Sequence, residues 1–137
     1  MTTTPDLDQA RVLLRHQPFS RLLGAEVTVF EPGVAELQVP VRDDLLQQDG
    51  YVHGGVLAYA ADNAITFAGG SVLGAAVLTA GMSVTYLRPA QGEVLVASAR
   101  VEESTSRRAV CHCTVSCRSS GTDTVVLVAT GTVAATG

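Results

Sequence analysis

The stretch HGGVLAYAADNA, His53–Ala64, holds one carboxylate, Asp62, and no other Asp, Glu, Lys or Arg occurs between Gly50 and Leu87. Drawing a carboxylate out of water with no cation beside it is costly unless the group is paired, and acids in such surroundings cluster at reaction centres. Gly54 and Gly55 stand at the head of the same stretch. If a helix begins there, its first N–H groups lack internal partners and carry the positive end of the helix dipole. Such a terminus suits an anion, or a carbonyl oxygen gaining negative charge, and glycine lets that oxygen approach the backbone closely. The structural alternatives are a glycine pair that serves only packing or a turn, and an Asp62 held by a hydroxyl or a backbone N–H.

Asp62 lies eight residues after Gly54, which on a helix is ~12 Å along the axis at ~1.5 Å per residue. Within one chain the two cannot serve one carbonyl. Antiparallel copies of the helix across a two-fold axis could bring Gly54 of one protomer to Asp62 of the other, which makes a dimer a condition of catalysis.

These groups need a helix to carry them. Between Gly54 and Gly70 the apolar residues fall on every side of a helical wheel, the mark of a buried helix. Seventeen residues are too many for a strand, and alanine favours helix. Before it, a helix is predicted from Asp8 to Leu23 with a break at Pro18. A hairpin follows, with Ala25, Val27 and Val29 on one arm, a turn at Glu31–Gly33, and Ala35, Leu37, Val39 and Val41 on the other. Strand patterns after the helix cover Val77–Leu87, Val94–Glu102, Ala109–Arg118 and Val125–Val133. The short connections predict that strands adjacent in sequence pair antiparallel. The expectation is one α+β domain over residues 1–137, a single helix enclosed by an antiparallel sheet of five or six strands.

At 137 residues a fold buries roughly two-thirds of the surface of its unfolded chain, so no disulfide or metal staple is required. With 47% hydrophobic and 16% charged residues, the composition hints that a partner subunit covers some apolar surface. A net charge of −4 and a pI near 5.2 argue against nucleic acid as a partner. The span Val52–Val84 is broken by six glycines, Asp62 and Asn63, which argues against a membrane helix. The opening residues MTTTPDLDQA lack the basic flank and apolar core of a signal peptide, so a cytoplasmic location is expected. Cys111, Cys113 and Cys117 would share one strand face with Ala109 and Val115 as small hydrophobes turned to the core. His112 points the other way, so no zinc site is expected.

QQDGYVHGGVLAYAADNA, followed by TAGMSVTYLRPA, resembles the hotdog-fold acyl-CoA thioesterases, specifically the phenylacetate-degradation type, over about Leu22 to Val133. The resemblance implies a hotdog fold, in which a curved antiparallel sheet wraps a long central helix. It also implies an obligate homodimer, usually paired into a homotetramer, with active sites at the dimer interface. By that resemblance the Gly54 amide, with Gly55 beside it, polarises the thioester carbonyl. Asp62 of the facing subunit acts either as nucleophile or as general base. Gln47 stands where the family often has Asn, and its amide would orient water or the thioester, with Gln48 as the neighbouring alternative. Thr79 matches a Ser or Thr whose hydroxyl holds the water or the carboxylate. His53 matches a histidine that fixes the loop and the helix start. Arg88, Arg107 and Arg108 are candidates for the phosphates of coenzyme A, because guanidinium forks suit phosphate geometry. No metal or redox cofactor is implied, and coenzyme A enters only as part of the substrate.

Two rival readings use the same residues. A hydroxyacyl-CoA dehydratase on this fold would set His53 and Asp62 on one acyl group, but the glycine spacing fits a thioesterase better. A non-catalytic acyl-CoA binding module would not need an isolated acid. Phenylacetyl, hydroxybenzoyl-like and medium-chain acyl groups all remain open.

Overall fold

The carboxylate of Asp6 accepts a hydrogen bond from the Gln9 N–H, and the Gln9 side chain accepts one from the Asp6 N–H, both at 2.9 Å. This capping box starts helix α1, Leu7–Arg15. Pro18, in the first turn of α2 (Pro18–Leu23), separates the two helices where the sequence predicts a break. The computed structural model describes residues 5–137, and the first four residues of the expected domain lie outside the described residues.

The strands are β1 (Glu26–Glu31), β2 (Val34–Pro40), β3 (Val77–Tyr86), β4 (Val94–Ser104), β5 (Arg108–Ser119) and β6 (Thr122–Ala135). Pro32 and Gly33 turn β1 into β2, and Gly33 takes the left-handed conformation (φ +84°) that such a turn asks of its third residue. The simple alternation predicted for β1 fails after Val27. A bulge between Val27 and Val29 shifts the register, so Phe30 rather than Val29 returns to the core.

All six strands form one antiparallel sheet in the order β1-β2-β4-β5-β6-β3. The expectation that strands adjacent in sequence pair is therefore wrong for β3 and β4. β3 pairs with β6, and β4 pairs with β2. Three strand spacings, ~14 Å, separate β3 from β4, and the seven residues 87–93 can reach ~23 Å when extended. A short connection can thus cross the end of β5 and β6 instead of forming a hairpin.

Helix α3 (Gly54–Leu73) lies across the inner face of this sheet. Its Leu57, Ala60, Ala61, Ala64, Ile65 and Ala68 join Leu37, Leu95, Val115 and Leu127 in the core. Small residues let helix and sheet approach closely: a Cβ on Gly69 would lie 2.7 Å from Val133. Buried Ser71 ties the end of α3 to the hairpin, accepting the Gly33 N–H at 2.8 Å and donating to the Ala68 carbonyl at 2.6 Å. The helix is long and apolar enough for a membrane span, but 61% of its apolar window is buried inside the fold. Cys111, Cys113 and Cys117 all turn to the core with Ala109 and Val115, as their alternation predicts.

The expected all-round burial of α3 does not hold. Residues 67–71 are buried, but Val72 is exposed and a stripe through Gly55, Tyr59, Asp62, Asn63 and Thr66 is only partly covered or exposed. The sheet curls around the opposite face, and this stripe is covered only in part, by Phe19 against Tyr59 and by Thr79 against Asp62. That is where the chemistry-bearing residues sit.

Candidate active site

His53 is the N-cap of α3, and its Nδ1 accepts the Gly55 N–H at 2.9 Å. A Cβ on Gly55 would come 3.0 Å from that nitrogen, so glycine leaves room for the cap. The imidazole is thereby turned onto its own helix start. The Gly54 N–H has no partner among the described residues and stays at the positive end of the helix. Tyr86, at the end of β3, donates its hydroxyl to the Gly54 carbonyl at 3.1 Å and packs against the glycine.

A cleft of about 330 Å³ opens at this terminus, lined by Gln47, Tyr51, Gly54, Tyr86 and Arg88 among others. The Gln47 side chain accepts the Asp49 N–H, which folds its amide oxygen onto its own loop, and the residue lines the same cleft as Gly54. Gln48 does not line this cleft. Arg88 borders it and donates to the Val125 carbonyl.

Asp62 belongs to a second cleft, of about 550 Å³, lined by Gln17, Phe19, Tyr59, Asp62, Asn63, Thr66, Leu78 and Thr79. Thr79, near the start of β3, donates to Asp62 Oδ1 at 2.6 Å. Thr66, one turn along α3, lies 2.7 Å from the Thr79 hydroxyl and donates to the Asp62 carbonyl at 2.9 Å. Asp62 Oδ2 has no partner among the described residues. The carboxylate is therefore held by one oxygen and free at the other.

The wall beside Asp62 is aromatic. Tyr59 and Phe19 meet edge to face at 5.4 Å. The Tyr59 hydroxyl donates to Ser20 and Ser20 donates to Gln17, both at 2.6 Å. Burial raises the Tyr59 hydroxyl above its ordinary range, the Ser20 hydrogen bond opposes that, and the charge of Asp62 adds to it.

Arg107 and Arg108 are not brought to Gly54. Arg108 stands across from Ala134, which pairs with Leu78, so both arginines lie at the end of the sheet that carries Thr79. The Arg107 guanidinium donates to the carbonyls of Gly137 (2.5 Å) and Ala135 (3.2 Å). Sequence reasoning missed Thr66, Tyr59, Phe19 and Tyr86. Thr66 could have been found from its i+4 spacing to Asp62, and Tyr86 lies within the quoted TAGMSVTYLRPA. Phe19 carries no comparable signal, because its place depends on how α2 docks.

One protomer thus presents two separate groups along α3. An unpaired amide sits at one end of the open face of α3, and an anchored carboxylate sits further along it.

A long central helix packed against a six-stranded antiparallel sheet defines the hotdog fold. The thioesterase superfamily pattern matches residues 49–124, and the chain belongs to that superfamily. A thioesterase family protein from Silicibacter pomeroyi has 30% identity over 93% of this chain and 95% of its own, with a TM-score of 0.88. A conserved protein from Pseudomonas aeruginosa has 28% identity over 86% and 93% of the two chains, with a TM-score of 0.78. The E. coli PaaI protein of the phenylacetic acid degradation operon is 20% identical over 96% and 97%, with a TM-score of 0.78, and shares the fold. A search of curated proteins gave no match.

Proposed function

We propose that the protein is an acyl-CoA thioesterase of the phenylacetate-degradation type, acting as a homodimer with each active site built from two subunits. The observation that supports this best is the pair of half-sites: the free Gly54 N–H and the anchored Asp62 lie too far apart on α3 to share one carbonyl.

The open edge of the sheet supports the dimer. β3 is an edge strand of ten residues, VLTAGMSVTY, with no charge and no proline. Soluble proteins blunt such edges or pair them. Antiparallel pairing of two β3 strands centred near Met82–Ser83 sets Thr79 of one copy opposite Tyr86 of the other. Thr79 carries Asp62 and Tyr86 carries Gly54, so each carboxylate meets the other subunit's amide.

In that arrangement the Gly54 N–H polarises the thioester carbonyl as negative charge develops on its oxygen. Asp62 Oδ2 either takes a proton from a water that attacks the carbonyl carbon or attacks that carbon itself. In the first case water oxygen bonds to the carbonyl carbon, the carbon–sulfur bond breaks, and the proton passes to the departing thiolate. In the second, an anhydride forms as the thiolate leaves, and water then hydrolyses it. Both routes give a free acid and coenzyme A. Gln47 orients the thioester or the water beside Gly54. In this reading Arg88 of one subunit and Arg107 and Arg108 of the other bind the phosphates. The His53 cap points at Gly55, which speaks against the dehydratase reading.

The test is thiol release from a panel of acyl-CoAs by wild type and Asp62→Asn. The variant is expected to stay folded and dimeric while turnover falls by orders of magnitude. Comparable rates would refute the role of Asp62, and an enoyl product without thiol would point to the dehydratase.

A further inference from the structure

We propose that Tyr86 is a positioning residue for the reaction: its hydroxyl fixes the Gly54–Gly55 peptide, so that the Gly54 N–H stays aimed at the substrate carbonyl. This deepens the thioesterase reading and rests on it.

An α-helix leaves its first four N–H groups without partners in the helix. At the start of α3 three of them are taken. The His53 N–H goes to the Leu45 carbonyl at 2.9 Å, the Gly55 N–H to His53 Nδ1 at 2.9 Å, and the Val56 N–H to the His53 carbonyl at 2.9 Å. Gly54 alone keeps a free donor among the described residues. That donor belongs to the first of two successive glycines, the backbone with the most freedom to turn away.

The peptide that joins Gly54 to Gly55 is held at both of its polar ends. Its N–H is the one given to His53, and its carbonyl accepts the Tyr86 hydroxyl at 3.1 Å. The Tyr86 ring covers Gly54 on the side where a Cβ would stand, 3.4 Å from Cε1. A donor fixed in advance needs no reorganisation as charge grows on the carbonyl oxygen, and that is the source of its effect on rate.

The edge strand is irregular where it must be to place Tyr86. Thr79 and Tyr86 are seven residues apart, so in a regular strand they would point to opposite faces. In β3 both turn to α3, where Thr79 bonds Asp62 and Tyr86 bonds Gly54. A bulge between Thr79 and Gly81 shifts the register by one residue. Thr79 therefore pairs with Val133 and Tyr86 with Leu127, two β6 residues that both face the core. One strand thereby supports the carboxylate near one end and the amide at the other. Tyr86 itself is 53% exposed and lines the Gly54 cleft. Its hydroxyl satisfies no buried group, so its loss should leave the fold intact.

The experiment compares wild type and Tyr86→Phe on the best substrate of an acyl-CoA panel. The variant keeps the ring, and its kcat is expected to fall by about two- to tenfold, the effect of one neutral hydrogen bond, with KM changed by less than about twofold. An unchanged kcat, or a loss carried by KM, would overturn the proposal while leaving the thioesterase reading intact. A second measurement needs no turnover and uses two inert analogues of the substrate. One is a ketone in which methylene replaces the thioester sulfur, with an NMR-active carbon at the carbonyl. The other is a thioether that lacks the carbonyl. On wild type the carbonyl resonance should move downfield as its oxygen accepts the N–H. In Tyr86→Phe that movement should shrink, while the Kd of the thioether stays within about twofold. Equal movement in both proteins, none in either, or weakened thioether binding would overturn the proposal. If wild type releases no thiol from any acyl-CoA yet moves the ketone resonance in a Tyr86-dependent way, the thioesterase reading fails and the positioning role stands.

Discussion

Thr79 Oγ1 donates to Asp62 Oδ1 at 2.6 Å, joining the open face of the central helix to the edge strand of the sheet. This contact engages one carboxylate oxygen, leaves Oδ2 without a partner among the described residues, and ties the carboxylate to the edge strand. A hydrogen bond to a charged group contributes ~1.5–3 kcal/mol, equivalent to about 10–100-fold in rate. Thr79→Val is expected to lower kcat on an acyl-CoA by that factor with little change in KM. Thr79→Ser, which keeps the hydroxyl, should recover most of the rate. Steady-state kinetics on both variants checks this, and an undiminished kcat in Thr79→Val would contradict it.

Two adjacent glycines of α3 should respond oppositely to alanine. At Gly69 the added Cβ would lie 2.7 Å from Val133 Cβ and Cγ2, and at Gly70 it would meet only Val77 at 3.6 Å. Gly69→Ala is expected to destabilise by ~1–3 kcal/mol through overpacking. Gly70→Ala should be neutral or stabilising by ~0.5–1 kcal/mol, the usual gain over glycine inside a helix. Urea denaturation midpoints measure both, and equal midpoints would mean that helix and sheet are not in such close contact.

The cysteines give a pH dependence. Burial, with Glu102 adding, pushes the Cys111 thiol up to about 11, and burial pushes Cys113 up to about 12. The folded state holds these protons more tightly than the unfolded chain, whose thiols titrate near 9.0. Their contribution to stability is full below that value and is lost as pH rises through about 11 to 12. Denaturation midpoints should fall progressively above pH 9.0 in wild type and less steeply in Cys111→Ala/Cys113→Ala. A pH-independent midpoint would contradict this. The native thiols should also resist an aromatic disulfide reagent that labels all three in denaturant, and fast native labelling would contradict their burial.

Much of this architecture can be read in the sequence where a residue's environment follows from its own neighbours. The break at Pro18, the turn at Gly33 and the core face of Cys111, Cys113 and Cys117 are local consequences of ring closure, positive φ and two-residue alternation. The pairing of β3 with β6 is not local. It depends on residues 87–93 crossing the sheet end, and a short connection reads as a hairpin until the sheet is assembled. The bulge at Thr28 is likewise not local: it turns Phe30 to the core, where it meets Phe67 from the distant helix. At the site, the lone charge at Asp62 and the glycine pair stand out from an apolar run. The partners that hold Asp62 are less visible: one threonine among many becomes informative only when helix and edge strand are placed side by side.

The proposed two-subunit active site is tested most directly by mixing two inactive proteins. Asp62→Asn removes the acid. Gly54→Pro removes the amide hydrogen at a first helical position, where proline is tolerated, and His53, at φ −59° and ψ 135°, already has the backbone that a following proline favours. Each variant alone should be inactive on acyl-CoA. Unfolded together and refolded at equal concentration, they should regain about a quarter of the wild-type rate, because half the dimers are mixed and each mixed dimer holds one intact site. No recovery from a mixture shown to contain folded heterodimers would contradict a site built from two subunits.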